Sequence, residues 1–236
     1  MAAWPRTVEE LVREQERLAD ATPPAWPAGR EPAELGRGAQ SHNALDEVQI
    51  GGCFVCFARG GTGPGGAGDP AWAAASLGRD AVVVRGRAGA PYEPGLLALR
   101  EGPLLEAAVR ALPRLPDVLL VDGTGRDHPR RAGLALHLGA VIDTPTAGVT
   151  HRPLAAGGEW PPDERGASTP LLLDGELVGY WLRTRSGRRP LAVHAAWRTD
   201  PETAVEVVLA ATGATRTPTP LREARRAART ARSAGS

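Results

Sequence analysis

Between positions 117 and 131 the chain reads Asp-Val-Leu-Leu-Val-Asp-Gly-Thr-Gly-Arg-Asp-His-Pro-Arg-Arg, so an apolar run ends on Asp122, a glycine turn, His128 and two arginines. A carboxylate can hold a hard cation, an imidazole can move protons near neutral pH, and an arginine fork grips phosphate. Val118 to Val121 lack the polar alternation of a half-exposed strand. They are expected to form a central strand buried on both faces, with Asp122 where the chain emerges. Ligands of α/β sheets bind at such strand ends.

Other residues of the right type compete with plainer readings. Glu101, next to Gly102 and Pro103, could be a helix-start carboxylate favoured by the macrodipole, and His128 before Pro129 could cap the next helix. His137 falls within an apolar helix and reads as a core histidine. Cys53 and Cys56 form a C-x-x-C, but their surroundings look like a strand, on which residues three apart face opposite ways. They are expected as buried small residues with no shared metal or disulfide. The glycine-rich run from Arg59 to Gly68 has no Gly-Lys-Ser/Thr ending, so it reads as a hairpin tip in place of a phosphate loop.

These residues need a scaffold. At 236 residues with a net charge of +1, the chain suits one sizeable α/β domain. No apolar run approaches the ~20 residues that span a bilayer, and the N-terminus does not resemble a leader; no membrane association and a cytoplasmic location are expected. Thr7 and Glu10 make a capping box for a helix to about Leu18, and Pro23 to Glu47 is a polar, proline-rich connector. Strands are expected near 52–57, 71–77, 81–84, 146–149 and 191–196, and helices from Pro103 to Ala111, Arg130 to Gly139 and Pro201 to Ala211. Asp174-Gly175 marks a two-residue hairpin turn. The pattern predicts a mixed sheet flanked by helices. Its parts are an N-terminal helix on the core (1–22), a connector (23–47), the main domain (48–215) and an arginine-rich tail (216–236). All 28 basic residues are arginine, and Arg222, Arg225, Arg226, Arg229 and Arg232 crowd into that tail, which reads equally as a nucleic-acid arm or a solvated, fraying helix.

Several motifs together resemble the endonuclease V family. They are Pro91-Tyr92-Glu93-Pro94-Gly95 followed by Leu99-Arg100-Glu101-Gly102-Pro103, Val121-Asp122-Gly123 leading to His128-Pro129-Arg130-Arg131-Ala132-Gly133, Thr144 to Val149, and Arg183 to Gly187. The resemblance implies a ribonuclease H-like fold and Mg²⁺-dependent cleavage of nucleic acid near a flipped inosine base. It makes Glu101 and Asp122 metal ligands, Asp122, Glu101 and His128 the catalytic set, and Tyr92 with Pro91 and Pro94 a wedge at the altered base. Gly123, Gly125, His151 and Arg152 would line the substrate.

The chain also departs from the family pattern. Phe54 stands where the family has a first-strand Asp, and a benzyl group cannot ligate a hard cation. Trp197 stands at the late catalytic His, Thr124 replaces another His, and His151 replaces a Lys. His194, three residues before Trp197, is expected on the opposite face. Three readings follow for what is expected to be a monomer: a degenerate or repurposed homologue with weak or absent cleavage, an active Mg²⁺ nuclease of DNA repair in which a water or a second carboxylate such as Asp127 completes the metal site with Glu101 and Asp122, or a small-molecule enzyme. In the last, Phe54 and Trp197 would form the pocket floor, and no Mg²⁺ is required.

Overall fold

The computed structural model describes residues 4–26, 45, 48–58 and 64–235. Most of the proline-rich connector and residues 59–63 of the glycine-rich run therefore lie outside the described residues.

Eight strands form one sheet in the order β3-β2-β1-β4-β5-β8-β7-β6. They are β1 (Ile50–Phe57), β2 (Pro70–Leu77), β3 (Asp80–Arg87), β4 (Val118–Val121), β5 (Thr146–Thr150), β6 (Ser168–Leu173), β7 (Glu176–Leu182) and β8 (Leu191–Ala195). Only β1–β4 and β4–β5 pair in parallel, so the functional strand ends meet in the middle of an otherwise antiparallel sheet. The expected central strand is β4, buried at all four positions. Its residues alternate between two cores: Leu119 and Val121 join one side of the sheet, Val118 and Leu120 the other.

On the first side lie α1 (Val8–Ala19), α2 (Leu97–Arg110) and α3 (Leu134–Ile142), which share Leu11, Leu18, Leu105, Leu136 and Leu138 with Cys53, Ala73 and Val121 of the sheet. The Thr7 hydroxyl caps α1 by accepting from the Glu10 N–H. On the second side lie α4 (Pro201–Ala210), packed on β5, β7 and β8, and α5 (Thr219–Ala234), packed on β1 and β2. Cys53 and Cys56 fall in different cores, as the strand periodicity requires, and both are free thiols.

Three expectations need correction. Helix α2 begins at Leu97, six residues before Pro103, which lies inside the helix. The missing proline N–H leaves the Leu99 carbonyl without its helical donor. Helix α3 begins at Leu134 and ends at Asp143 in the left-handed region, so Arg130–Gly133 is a turn and the cap is not a glycine. The arginine-rich tail is not a fraying appendage. Leu221, Ala224 and Ala228 make a buried stripe at helical spacing, and the small alanines let α5 sit close on the sheet. Gly52 permits that approach: a Cβ there would stand 2.6 Å from the Pro220 carbonyl carbon.

Candidate functional site

Asp122 follows β4 on the face that Val118 and Leu120 define, which is the side covered by α5. One of its carboxylate oxygens accepts a hydrogen bond from Arg225 Nη2 of α5 at 2.8 Å. Phe54 shares that face through β1. Its ring centroid lies 5.1 Å from the Arg225 guanidinium carbon and 5.7 Å from that of Arg229. Arg225 and Arg229 are four apart, so one helix face presents both cations to the ring.

Glu101 enters from α2. Burial and then the negative charge of Asp122 push its carboxyl up to about 8, against the opposing pull of Arg100. Burial, and then the same two carboxylates, raise the Cys53 thiol as well, so these groups gather at one end of β1 and β4. No three histidine, cysteine, aspartate or glutamate side chains form a metal-ligand set among the described residues. Asp122 already holds a guanidinium, and Phe54 offers no lone pair. Mg²⁺ needs only one or two protein carboxylates beside its waters, but here one Asp122 oxygen accepts from Arg225, Glu101 holds its proton up to about 8 and Phe54 adds no donor, so the set fits a hard divalent cation poorly.

A pocket of about 210 Å³ opens beside Asp122. Tyr92, Pro94, Gly95, Gly123, Thr124 and Thr150 line it together with Gln15, His128 and Leu154. Tyr92 is 45 % exposed at its rim. Of the expected substrate residues, Pro91, Gly125, His151 and Arg152 are not among its walls, nor are Phe54 and Trp197. Phe54 turns toward α5. Trp197 packs on the first core, where Thr146 holds its backbone N–H and carbonyl at 3.1 and 3.0 Å. Gly125 lies instead against the Ala195 carbonyl.

His128 is almost fully buried, and both its ring nitrogens face backbone. The Arg130 N–H donates to Nδ1 at 3.1 Å, which puts the proton on Nε2, where it donates to the Gly95 carbonyl at 3.0 Å. Gln15 Nε2 and Arg130 Nη2 reach the same carbonyl at 3.1 and 3.3 Å, and Arg130 Nε donates to Gln15 Oε1 at 2.7 Å. Gly95 has φ +83°, a conformation that glycine adopts freely. Burial lowers the His128 pKa against the opposing hydrogen bond to Gly95, which favours the neutral ring. His128 thus ties Gly95 of the 91–95 loop to the turn before α3.

Asp127 is not a spare metal ligand. Its oxygens accept from the backbone N–H groups of Leu154, Ala155 and Ala156 at 2.6 to 2.8 Å, and His194 Nδ1 stands 3.6 Å away. His194 Nε2 lies 2.9 Å from Thr150 Oγ1 at the pocket wall, so this buried set ties the 154–156 loop to β5. His151 is exposed, with Nδ1 3.1 Å from Arg216 Nη1; burial first, and then Arg216 and Arg225, lower its pKa. The Arg152 carbonyl accepts from Thr150 Oγ1 at 2.7 Å.

Sequence reasoning missed Gln15, Arg225 and the buried role of Asp127. Arg100 was also hidden within a motif. It is 2 % exposed, lies 4.0 Å over the Phe57 ring and donates to the carbonyls of Gly66 and Ala90, joining the β1–β2 and β3–α2 connections.

A mixed sheet with parallel central strands, flanked by helices and carrying carboxylates at their ends, is the framework of a ribonuclease H-like protein. Residues 73–226 match the family model for Endonuclease V, and the chain belongs to that family. It is 46% identical over 144 residues to Endonuclease V of Methanopyrus kandleri, a match covering 61% of this chain and 62% of that protein. The aligned region thus spans about three fifths of the curated relatives' length. The crystal structure of Streptomyces avermitilis Endonuclease V superposes with a TM-score of 0.76 at 33% identity, covering 100% of this chain and 98% of that one. Ciona intestinalis Endonuclease V, solved with a 24mer DNA containing an inosine followed by a ribo-adenosine, shares the fold at a TM-score of 0.72 and 21% identity. That alignment covers 97% of this chain and 99% of the other.

Proposed function

We propose that this chain binds inosine-containing nucleic acid at the Asp122 pocket and cleaves it weakly or not at all. The observation that carries this reading is the guanidinium of Arg225 on the Asp122 carboxylate, with Phe54 beside it where a second oxygen donor would be needed. Hard-metal hydrolysis depends on oxygen ligands that are free to coordinate. Here one Asp122 oxygen is held by Arg225 and Phe54 adds no donor beside it, which supports weak coordination next to a formed pocket. A mostly uncharged pocket of about 210 Å³, rimmed by Tyr92 and closed by a fixed loop, suits a planar base. The Ciona intestinalis relative, solved with inosine-containing DNA, is consistent with that occupant.

The test is incubation of inosine-containing and control oligonucleotides with Mg²⁺ or Mn²⁺, using the wild type, Asp122→Ala and Phe54→Asp/Trp197→His. The expected result is retention of the inosine oligonucleotide without appreciable cutting by the wild type. Strong wild-type cleavage that disappears in Asp122→Ala overturns the reading and makes this an active nuclease with a reduced metal site.

A further inference from the structure

We infer that Arg225 and Arg229 form a phosphate-binding site beside the pocket, in which two guanidiniums supply the positive charge that the oxygen donors are too few to recruit as a metal. The inference deepens the proposed function and rests on it for the nature of the ligand, a phosphodiester attached to the base in the pocket. The two arginines lie on one face of α5, with their guanidinium carbons 5.1 and 5.7 Å from the Phe54 ring centroid. An aromatic face supports guanidinium, whereas it offers nothing to a divalent ion.

The exposed Arg229 fork is open to a ligand, and Arg225 is committed to Asp122 through one nitrogen only. Arg225 gives Nη2 to Asp122, and its Nε is buried with no hydrogen-bond partner among the described residues. The Arg229 guanidinium has Phe54 as its neighbour and makes no ion pair among the described residues. A planar fork with idle N–H groups matches the geometry of a phosphate oxygen pair.

The local charge points the same way. Burial, and then the charges of Arg189 and Arg225, lower the pKa of Arg216, so both of those cations lie within its field. Arg216 also holds His151, which stands within the field of both Asp122 and Arg225. Against these cations stands the carboxylate of Asp122, 26% exposed at the junction with the pocket, with the buried Glu101 carboxyl within its field. An anion entering there relieves repulsion among the arginines while its base faces Tyr92.

The test measures binding of single-stranded oligonucleotides in EDTA by fluorescence anisotropy, with normal phosphodiesters or neutral methylphosphonates on both sides of one inosine. Wild type is expected to lose about tenfold or more in affinity for the neutral probe, the scale of charge-assisted hydrogen bonds. Arg229→Gln, which breaks no ion pair, and Arg225→Gln/Arg229→Gln are expected to lose a similar factor on the normal probe and little more on the neutral one. Arg226→Gln, whose side chain is exposed and pairs with Glu223, is expected to bind as wild type does. Arg225→Lys/Arg229→Lys keeps the charge and recovers part of the affinity, which separates a lost contact from a lost fold. Binding that requires Mn²⁺, or an equal methylphosphonate penalty in wild type and Arg229→Gln, overturns the inference. A probe with guanine in place of inosine separates the two proposals: the arginine dependence can persist when inosine preference is absent, and the reverse can hold too.

Discussion

Arg225 and Asp122 meet at 2.8 Å across 103 positions of the chain, joining the last helix to the end of the central strand. The pair is about three-quarters buried, with side chains 21% and 26% exposed. Its geometry depends on α5 lying flat on β1 and β2, which the buried stripe of Leu221, Ala224 and Ala228 enforces. The same contact thus fastens α5 and takes one of the two oxygens of the carboxylate that a hydrolytic metal would use.

A double-mutant cycle measures that dual role. Because both groups keep some solvent, the pair is expected to couple by about 0.5–1 kcal/mol, near the upper end for exposed pairs. Arg225→Ala and Asp122→Ala should each destabilise, and Arg225→Ala/Asp122→Ala should fall short of their sum by that amount. Urea denaturation of the four proteins gives the numbers. Strict additivity would mean that the two side chains do not sense each other in solution.

Removing His128 should loosen the loop that it fastens. His128→Ala deletes a buried ring and a hydrogen bond to Gly95 O, which is expected to cost about 2–3 kcal/mol. Amide hydrogen exchange should show faster exchange at 92 and 96, whose N–H groups are bonded to the Gly65 and Glu93 carbonyls. Unchanged protection there, with a large change in the pH profile of ligand binding, would instead assign the imidazole a proton-transfer role.

What could be read in the sequence depended on how far each signal reaches. The Asp174-Gly175 turn is a local property, and it appears with φ of 52° and 80°, as a type I′ hairpin demands. The opposite faces of Cys53 and Cys56 follow from strand period alone, and the continuous apolar run of β4 marks the sheet centre. Helices α2 and α3 begin at Leu97 and Leu134 without any side-chain cap, so no residue type announced their starts. Arg225 was hidden for a different reason. Five arginines in one segment look alike until the rotation of α5 decides which of them faces Asp122. Asp127 was misjudged because its partners are backbone N–H groups, which have no signature in the sequence.

Asp127 should be the most sensitive carboxylate among the described residues. It is fully buried and accepts three short backbone hydrogen bonds from the 154–156 loop. In Asp127→Asn one acceptor oxygen becomes a donor amide facing N–H groups, so at least one donor is stranded. A loss of roughly 2–4 kcal/mol is expected, with the pocket wall at Leu154 loosened. Thermal denaturation and hydrogen exchange at 154–156 check both parts. A variant as stable as wild type would show that the loop does not depend on the carboxylate.

His137 gives the fold an acid-sensitive point away from the site. Its ring stacks on Trp4 with centroids 4.5 Å apart, and neither nitrogen has a hydrogen-bond partner among the described residues. Burial lowers its pKa to about 4; Glu14 opposes the shift and Arg17 adds to it. A histidine depressed in the folded state binds its proton more readily when unfolded. Its penalty is therefore absent well above the unfolded value near 6.5, grows as pH falls below it, and levels off below about 4. Between pH 7.5 and 5 this one group should remove about 2 kcal/mol of stability. His137→Phe keeps a ring against Trp4 and cannot take up a proton. Urea denaturation at the two pH values should show a drop in wild type that exceeds the drop in His137→Phe by about that amount. Equal drops would mean that the ring reaches water in the folded protein.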